Sequence, residues 1–236
     1  MFGVVDVRTI AMLSGPLVGA GYFLGSIQWK ILYKSWQLRS SEPVADDALT
    51  EAPASGREGE GVIAAFEAVI PLAYALIVWS FIESIAPGGG GRFNASSFIG
   101  ALSNQVLPVW QSLAVWTGAA AVLGHVAPVW TRFRGGTGIP PVMALTLFFA
   151  PWVFVAAVAA FLGTFWFTRN RRPALLVCFA AALSYSWLGW VFTFNHGWGV
   201  NFGPELSLWV AVLMAMLTPR LLFADEYQDD TDPLMN

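Results

Sequence analysis

Between Ile139 and Phe167 the chain carries no charged side chain. That stretch exceeds the roughly 20 residues a helix needs to cross a bilayer, and Pro151 stands near its middle. Lipid cannot hydrogen-bond a backbone, so a segment of this kind must satisfy its own amides, as a helix does. Five further apolar runs flank it: about Thr9 to Trp29, Val62 to Ile85, Gln105 to Trp130, Pro173 to Thr193 and Leu206 to Phe223. Apolar residues make up 56% of the 236 and charged residues 11%, where a soluble domain carries about 25% charged. With a mean hydropathy of +0.61, such a chain cannot cover its surface with polar groups. The predicted fold is all-α, a polytopic membrane helix bundle.

Basic residues decide the number of crossings, because cytoplasmic loops collect Lys and Arg. Lys30, Lys34 and Arg39 follow the first run, Arg132 and Arg134 the third, and Arg169, Arg171 and Arg172 the long stretch. If Pro151 divides that stretch into two crossings, nearly all basic residues share one side. Only Arg8 and Arg92 then lie outside. This predicts about seven transmembrane helices, with the N-terminus outside and the C-terminus inside. The two halves are short for a bilayer, which is tolerable where a helix end lines a polar cavity. Many Trp (Trp29, Trp36, Trp110, Trp130, Trp166, Trp198) sit near the ends of apolar runs, as interfacial anchors do.

The chain reads as a single membrane domain, 1–236. It carries a flexible acidic cytoplasmic loop, 40–61, and an acidic C-terminal tail, 224–236. Asp6 precedes Arg8 and no small-residue cleavage site follows the first run, so that run reads as a retained helix. A lone cysteine, Cys178, gives no disulfide framework and no thiol metal site. No metal or other cofactor is expected, and no basic stripe suggests nucleic acid.

Chemistry gathers at Gly124 to Gly138, Gly-His-Val-Ala-Pro-Val-Trp-Thr-Arg-Phe-Arg-Gly-Gly-Thr-Gly, between two apolar runs. Gly135, Gly136, Thr137 and Gly138 can turn backbone N–H groups toward an anion. A helix starting at about Ile139 points its first N–H groups there too, and Pro140 and Pro141 suit a first helical turn. Arg132 and Arg134 can add charge-assisted hydrogen bonds. His125 is a candidate general base or polar anchor. Glu67, the intramembrane acid of the second run, marks either transport or a bundle-facing hydrogen bond. The corner suits a phosphate or lipid headgroup. It also fits a plain glycine turn with snorkelling Arg.

These residues resemble a known pattern. Gly124-His125-x-x-Pro128, then Phe133-x-Gly135-Gly136-x-Gly138, is similar to the second motif of the bacterial acyl-phosphate:glycerol-3-phosphate acyltransferases (the PlsY type). Tyr22-Phe23-Leu24-Gly25-Ser26-Ile27 resembles that family's first-helix motif. Ala150-Pro151-Trp152, Thr168-Arg169 and Arg220-Leu221-Leu222 with Glu226 follow in the family's order. The resemblance implies a seven-helix fold in the bacterial cytoplasmic membrane, with the motifs on the cytoplasmic side. It implies acyl transfer from acyl phosphate to glycerol 3-phosphate for phospholipid synthesis. Ser26, Arg132, Arg134 and Gly135 to Gly138 would then hold phosphate or headgroup, with His125 and Glu67 assisting proton transfer. Thr137 stands where the family pattern has Lys. The acidic stretch after Ser40 replaces its Gly- and Asn-rich loop, and Met214 to Leu217 replaces a His-x-x-Asn. A second function therefore stays open: a catalytically silent relative serving as a membrane-complex subunit or lipid-binding scaffold.

Overall fold

A computed structural model describes residues 7–27, 29, 32, 56–85, 109–131, 133, 135–192 and 204–222. Among these residues seven α-helices form and no strand does: α1 Val7–Gly25, α2 Gly56–Ile85, α3 Val109–Val126, α4 Ile139–Phe149, α5 Pro151–Thr168, α6 Arg171–Val191 and α7 Pro204–Leu222. Four stretches are long and apolar enough to cross a membrane: Gly61–Ile82, Ser112–Thr131, Pro151–Thr168 and Arg171–Val191. Shorter apolar stretches are Met12–Gly25, Ile139–Phe149 and Glu205–Pro219.

Local chemistry sets the boundaries. Pro151 lacks an N–H and its ring obstructs the preceding turn, so the long apolar stretch breaks where expected. Ala150 leaves helical geometry (φ −140°, ψ 63°), and its N–H donates to the Thr146 carbonyl (2.8 Å) to close α4. Pro occupies the first turn of both α4 and α5, where a missing N–H costs nothing. The Asn170 side chain accepts from the Arg172 N–H (3.0 Å) and caps α6.

Three boundaries differ from the hydropathy reading. The helix α1 stops at Gly25, short of Trp29. The helix α2 reaches back to Gly56, inside the stretch 40–61 expected to be loop; the rest of that stretch, and the tail 224–236, fall outside the described residues. The third run ends as a helix at Val126 and continues only as a short 3-10 turn, Val129–Thr131.

The bundle is built around α3, which meets α1, α2, α4 and α7. Its span is 72% buried, against 6% for α5. Small residues let helices approach closely where lipid gives no hydrophobic drive to associate. A Cβ on Gly25 would run into the Ala121 carbonyl, and one on Gly124 into the Tyr22 carbonyl, so α1 and α3 meet backbone to backbone. Trp79, Trp209, Phe149, Ile82 and Leu145 are the large side chains fully enclosed in the core. Large apolar side chains also point outward, among them Ile77, Trp166 and Phe167, as expected of a surface solvated by lipid.

Candidate functional site

The site is assembled at the C-terminal end of α3. His125 lies in its last turn, 7% exposed. Glu67, about three turns into α2, points at it: His125 Nε2 and Glu67 Oε2 are 3.7 Å apart. That separation is too long for a hydrogen bond, and His125 Nε2 has no hydrogen-bond partner among the described residues. The structure thus brings together two residues that the sequence offered separately.

Above this pair the chain folds back on itself. After the 3-10 turn, Phe133 takes a left-handed backbone (φ 65°), and its N–H donates to the Pro128 carbonyl (2.9 Å). A non-glycine residue in that region is strained and tends to mark functional turns. The Gly136 N–H then donates to the His125 carbonyl (2.9 Å). A Cβ on Gly136 would collide with the His125 imidazole, and one on Gly135 with the carbonyls of His125 and Val126. The loop therefore rests directly on the end of α3. Gly138 caps α4 in the left-handed region (φ 73°), with Val126 and Leu217 packed where a Cβ would stand.

The donors available to an anion differ from the expectation. Pro140 and Pro141 carry no N–H, and the Val142 N–H is bonded to the Gly138 carbonyl (3.2 Å). Of the first helical turn only Ile139 retains a donor, so loop amides rather than the helix terminus must supply most contacts. Thr137 is exposed on this loop.

Ser26 is brought beside α3, where its amide nitrogen lies against Gly124. Its hydroxyl, however, donates to the Tyr22 carbonyl one turn back (2.8 Å), and the residue is 2% exposed. Arg132 and Arg134 lie outside the described residues. One anchor went unnoticed in the sequence: the Tyr22 hydroxyl donates to the Ala127 carbonyl (2.7 Å) and ties α1 to the turn that leaves α3. Its only signal was its place at the head of the Tyr-Phe-Leu-Gly-Ser-Ile motif.

Beneath the loop, α4, α5, α6 and α7 line an apolar cavity of about 420 Å³, within the range of roughly 300–1,000 Å³ usual for ligand pockets. Ile139 and Leu217 are among its lining residues, and Leu217 also packs on Gly138. A glycine-rich loop thus sits at the lip of an apolar hollow.

Fold and site together define an integral membrane protein of the helical class, with a glycine loop over an apolar cavity at one end of the bundle. The comparisons make this specific: residues 61–225 match the family model described as glycerol-3-phosphate acyltransferase, and the chain belongs to that family. It is 33% identical over 109 residues to a glycerol-3-phosphate acyltransferase of Pseudomonas fluorescens, covering 43% of this chain and 57% of that one. Its identity to the enzyme of that name from Pseudomonas putida is 31% over 141 residues, 56% of this chain and 67% of the relative. For Methylobacillus flagellatus the figures are 30% over 100 residues, 39% and 51%. The chain spans a little over half the length of the first of these relatives. No solved structure matches it.

Proposed function

We propose that the chain transfers an acyl group from acyl phosphate to the hydroxyl of glycerol 3-phosphate or a similar glycerol-phosphate acceptor, in the bacterial cytoplasmic membrane. The observation that carries this reading is the contact between the glycine loop and the apolar cavity: Leu217 touches Gly138 and lines the hollow at once. A ligand occupying both has a phosphate head and a hydrocarbon tail. Family membership and the relatives' printed names support the same chemistry.

In this reading the amides of Gly135, Thr137, Gly138 and Ile139 hold phosphate and stabilise negative charge developing on the acyl oxygen, as an oxyanion hole does. Arg132 and Arg134 add charge from the same loop. The acceptor hydroxyl oxygen bonds to the acyl carbon as the bond from that carbon to the phosphate oxygen breaks, and the hydroxyl proton leaves with the released phosphate. His125 and Glu67 lie under the loop. Their first duty is to position it: the His125 carbonyl and ring both touch Gly136. Membrane lipids surround the bundle. The loop faces the cytoplasm, as do the acidic segments 40–61 and 224–236, and the N-terminus lies outside.

The test is turnover. Purified chain in lipid nanodiscs, given palmitoyl phosphate and glycerol 3-phosphate, releases inorganic phosphate and forms acylated glycerol phosphate above a heat-inactivated control. His125→Ala lowers kcat/KM about tenfold or more, equivalent to ~1.4 kcal/mol of lost transition-state stabilisation. His125→Gln, which keeps bulk and a polar tip, loses less. Absence of turnover in the unsubstituted chain overturns the enzymatic reading and leaves the silent subunit or scaffold, for which Thr137 in place of a family Lys is the motivating feature.

A further inference from the structure

Four helices line the cavity, and three of them contribute stripes of equal length. On α4 the stripe runs from Ile139 to Thr146, on α6 from Leu175 to Ala182, and on α7 from Leu217 back to Val210. Each spans seven residue steps, or about 10 Å at 1.5 Å per residue. The two ends are unlike. Ile139 and Leu217 form the lip at the glycine loop. The far end lies by the junction of α4 and α5 at Ala150, where Val153 (3% exposed), Ala182 (6%) and Val210 (4%) close it. Phe149, just before that junction, is fully enclosed and stacks on Trp79 at 6.2 Å. One flank is open: Met143 and Leu162 line the cavity and also reach the outer surface of the bundle, 46% and 58% exposed.

We infer that this cavity is an acyl-length gauge, entered from the lipid between Met143 and Leu162 and floored by Val153, Ala182 and Val210. The inference rests on the acyl-transfer reading for the identity of the ligand, a single hydrocarbon chain with a phosphate head. The walls are apolar, with Thr146, the Cys178 thiol and the thioethers of Met143 and Met214 the departures from pure hydrocarbon, so each methylene that enters leaves water or lipid for a packed site. For transfer from water, one buried methylene is worth about fourfold in affinity. The gain stops when the chain end meets the floor. A longer chain must bend or leave its last carbons in the open flank. Ala182 is the smallest floor residue and sets the depth.

The chain reports on this cavity without turnover, because Cys178 is its only cysteine and lines the wall. Full-length protein in nanodiscs is treated with N-ethylmaleimide while saturated acyl phosphates of increasing chain length are titrated in. The concentration that halves the rate of Cys178 alkylation falls with each added methylene, by up to about fourfold per step, and then levels off. In Ala182→Leu the levelling occurs at a shorter chain, and in Val210→Ala at a longer one. Protection that ignores chain length, or no protection in the unsubstituted protein, overturns the gauge. A break unmoved in both variants does the same. Turnover is followed in parallel on the same samples. Length-dependent protection without turnover keeps the gauge and overturns the acyl-transfer reading; turnover without protection does the reverse.

Discussion

At the scale of single residues, Gly136 is held twice by one neighbour. Its amide is bonded to the His125 carbonyl and its α-carbon faces the His125 ring. A methyl group there needs the imidazole or the loop to move, and the imidazole is buried against Glu67. Gly136→Ala is therefore expected to lower the apparent Tm in detergent and to cut turnover about tenfold or more, since displacing a preorganised donor by an ångström costs rate steeply. Gly19→Ala is the control. Nothing stands within 4 Å of a Cβ at that position of α1, and alanine favours a helix by roughly 0.5–1 kcal/mol. It should not lower the Tm. A loss in both variants would mean that any alanine in the bundle is harmful and would sink the specific account of Gly136. The glycines could be singled out from the sequence because they cluster between apolar runs. Which of them is pinned, and by what, could not, because the answer depends on where the end of α3 meets the loop.

At the scale of elements, the break between α4 and α5 was legible and the pairing of α2 with α3 was not. A proline in an apolar run carries its consequence locally: it removes one donor and obstructs one turn. The approach of Glu67 to His125 depends instead on how α2 is rotated against α3, and no local period encodes that. The start of α2 was hidden for a related reason. Gly-Arg-Glu-Gly-Glu reads as loop by composition, yet the helix runs through it. The cavity was equally invisible, because apolar stripes look the same whether they interlock or leave a hollow. One cross-link between elements starts near the middle of α3, in the half away from the loop: the Trp116 indole N–H donates to Glu205 Oε1 (2.8 Å) and joins α3 to the first turn of α7. Hydrogen bonds to charged partners are worth about 1.5–3 kcal/mol. Glu205→Ala should lower the apparent Tm, and Glu205→Gln, which keeps an acceptor, should lower it less. Turnover well below the transition should stay near that of the unsubstituted chain, since Trp116 lies about 13 Å along α3 from His125. A large loss of turnover with an unchanged Tm would show instead that this end of the bundle takes part in the chemistry.

At the scale of the whole molecule, the arrangement of α4 and α5 ties the fold to its orientation. Both helices line one cavity along their lengths, and they join at Ala150. Their free ends, Ile139 beside the glycine loop and Thr168 before α6, should then emerge on the same side of the membrane. Charge leads to the same arrangement by a separate route: Arg132 and Arg134 precede α4, Arg169, Arg171 and Arg172 follow α5, and positive loops stay in the cytoplasm. The α5–α6 connection is fixed by more than charge, because Arg169 adopts a left-handed backbone (φ 53°) with its guanidinium 5.3 Å from the Trp166 ring. The pair forms a cation–π contact suited to a headgroup boundary. With Cys178 replaced by alanine, single cysteines at Thr137 and Asn170 are expected to react with a membrane-impermeant maleimide in inverted vesicles and to be shielded in right-side-out ones. If Asn170→Cys reacts only in right-side-out vesicles while Thr137→Cys reacts only in inverted ones, the stretch from Ile139 to Phe167 crosses the membrane once. The two arms could not then share a cavity under the loop, and the amphiphile site would lose its floor.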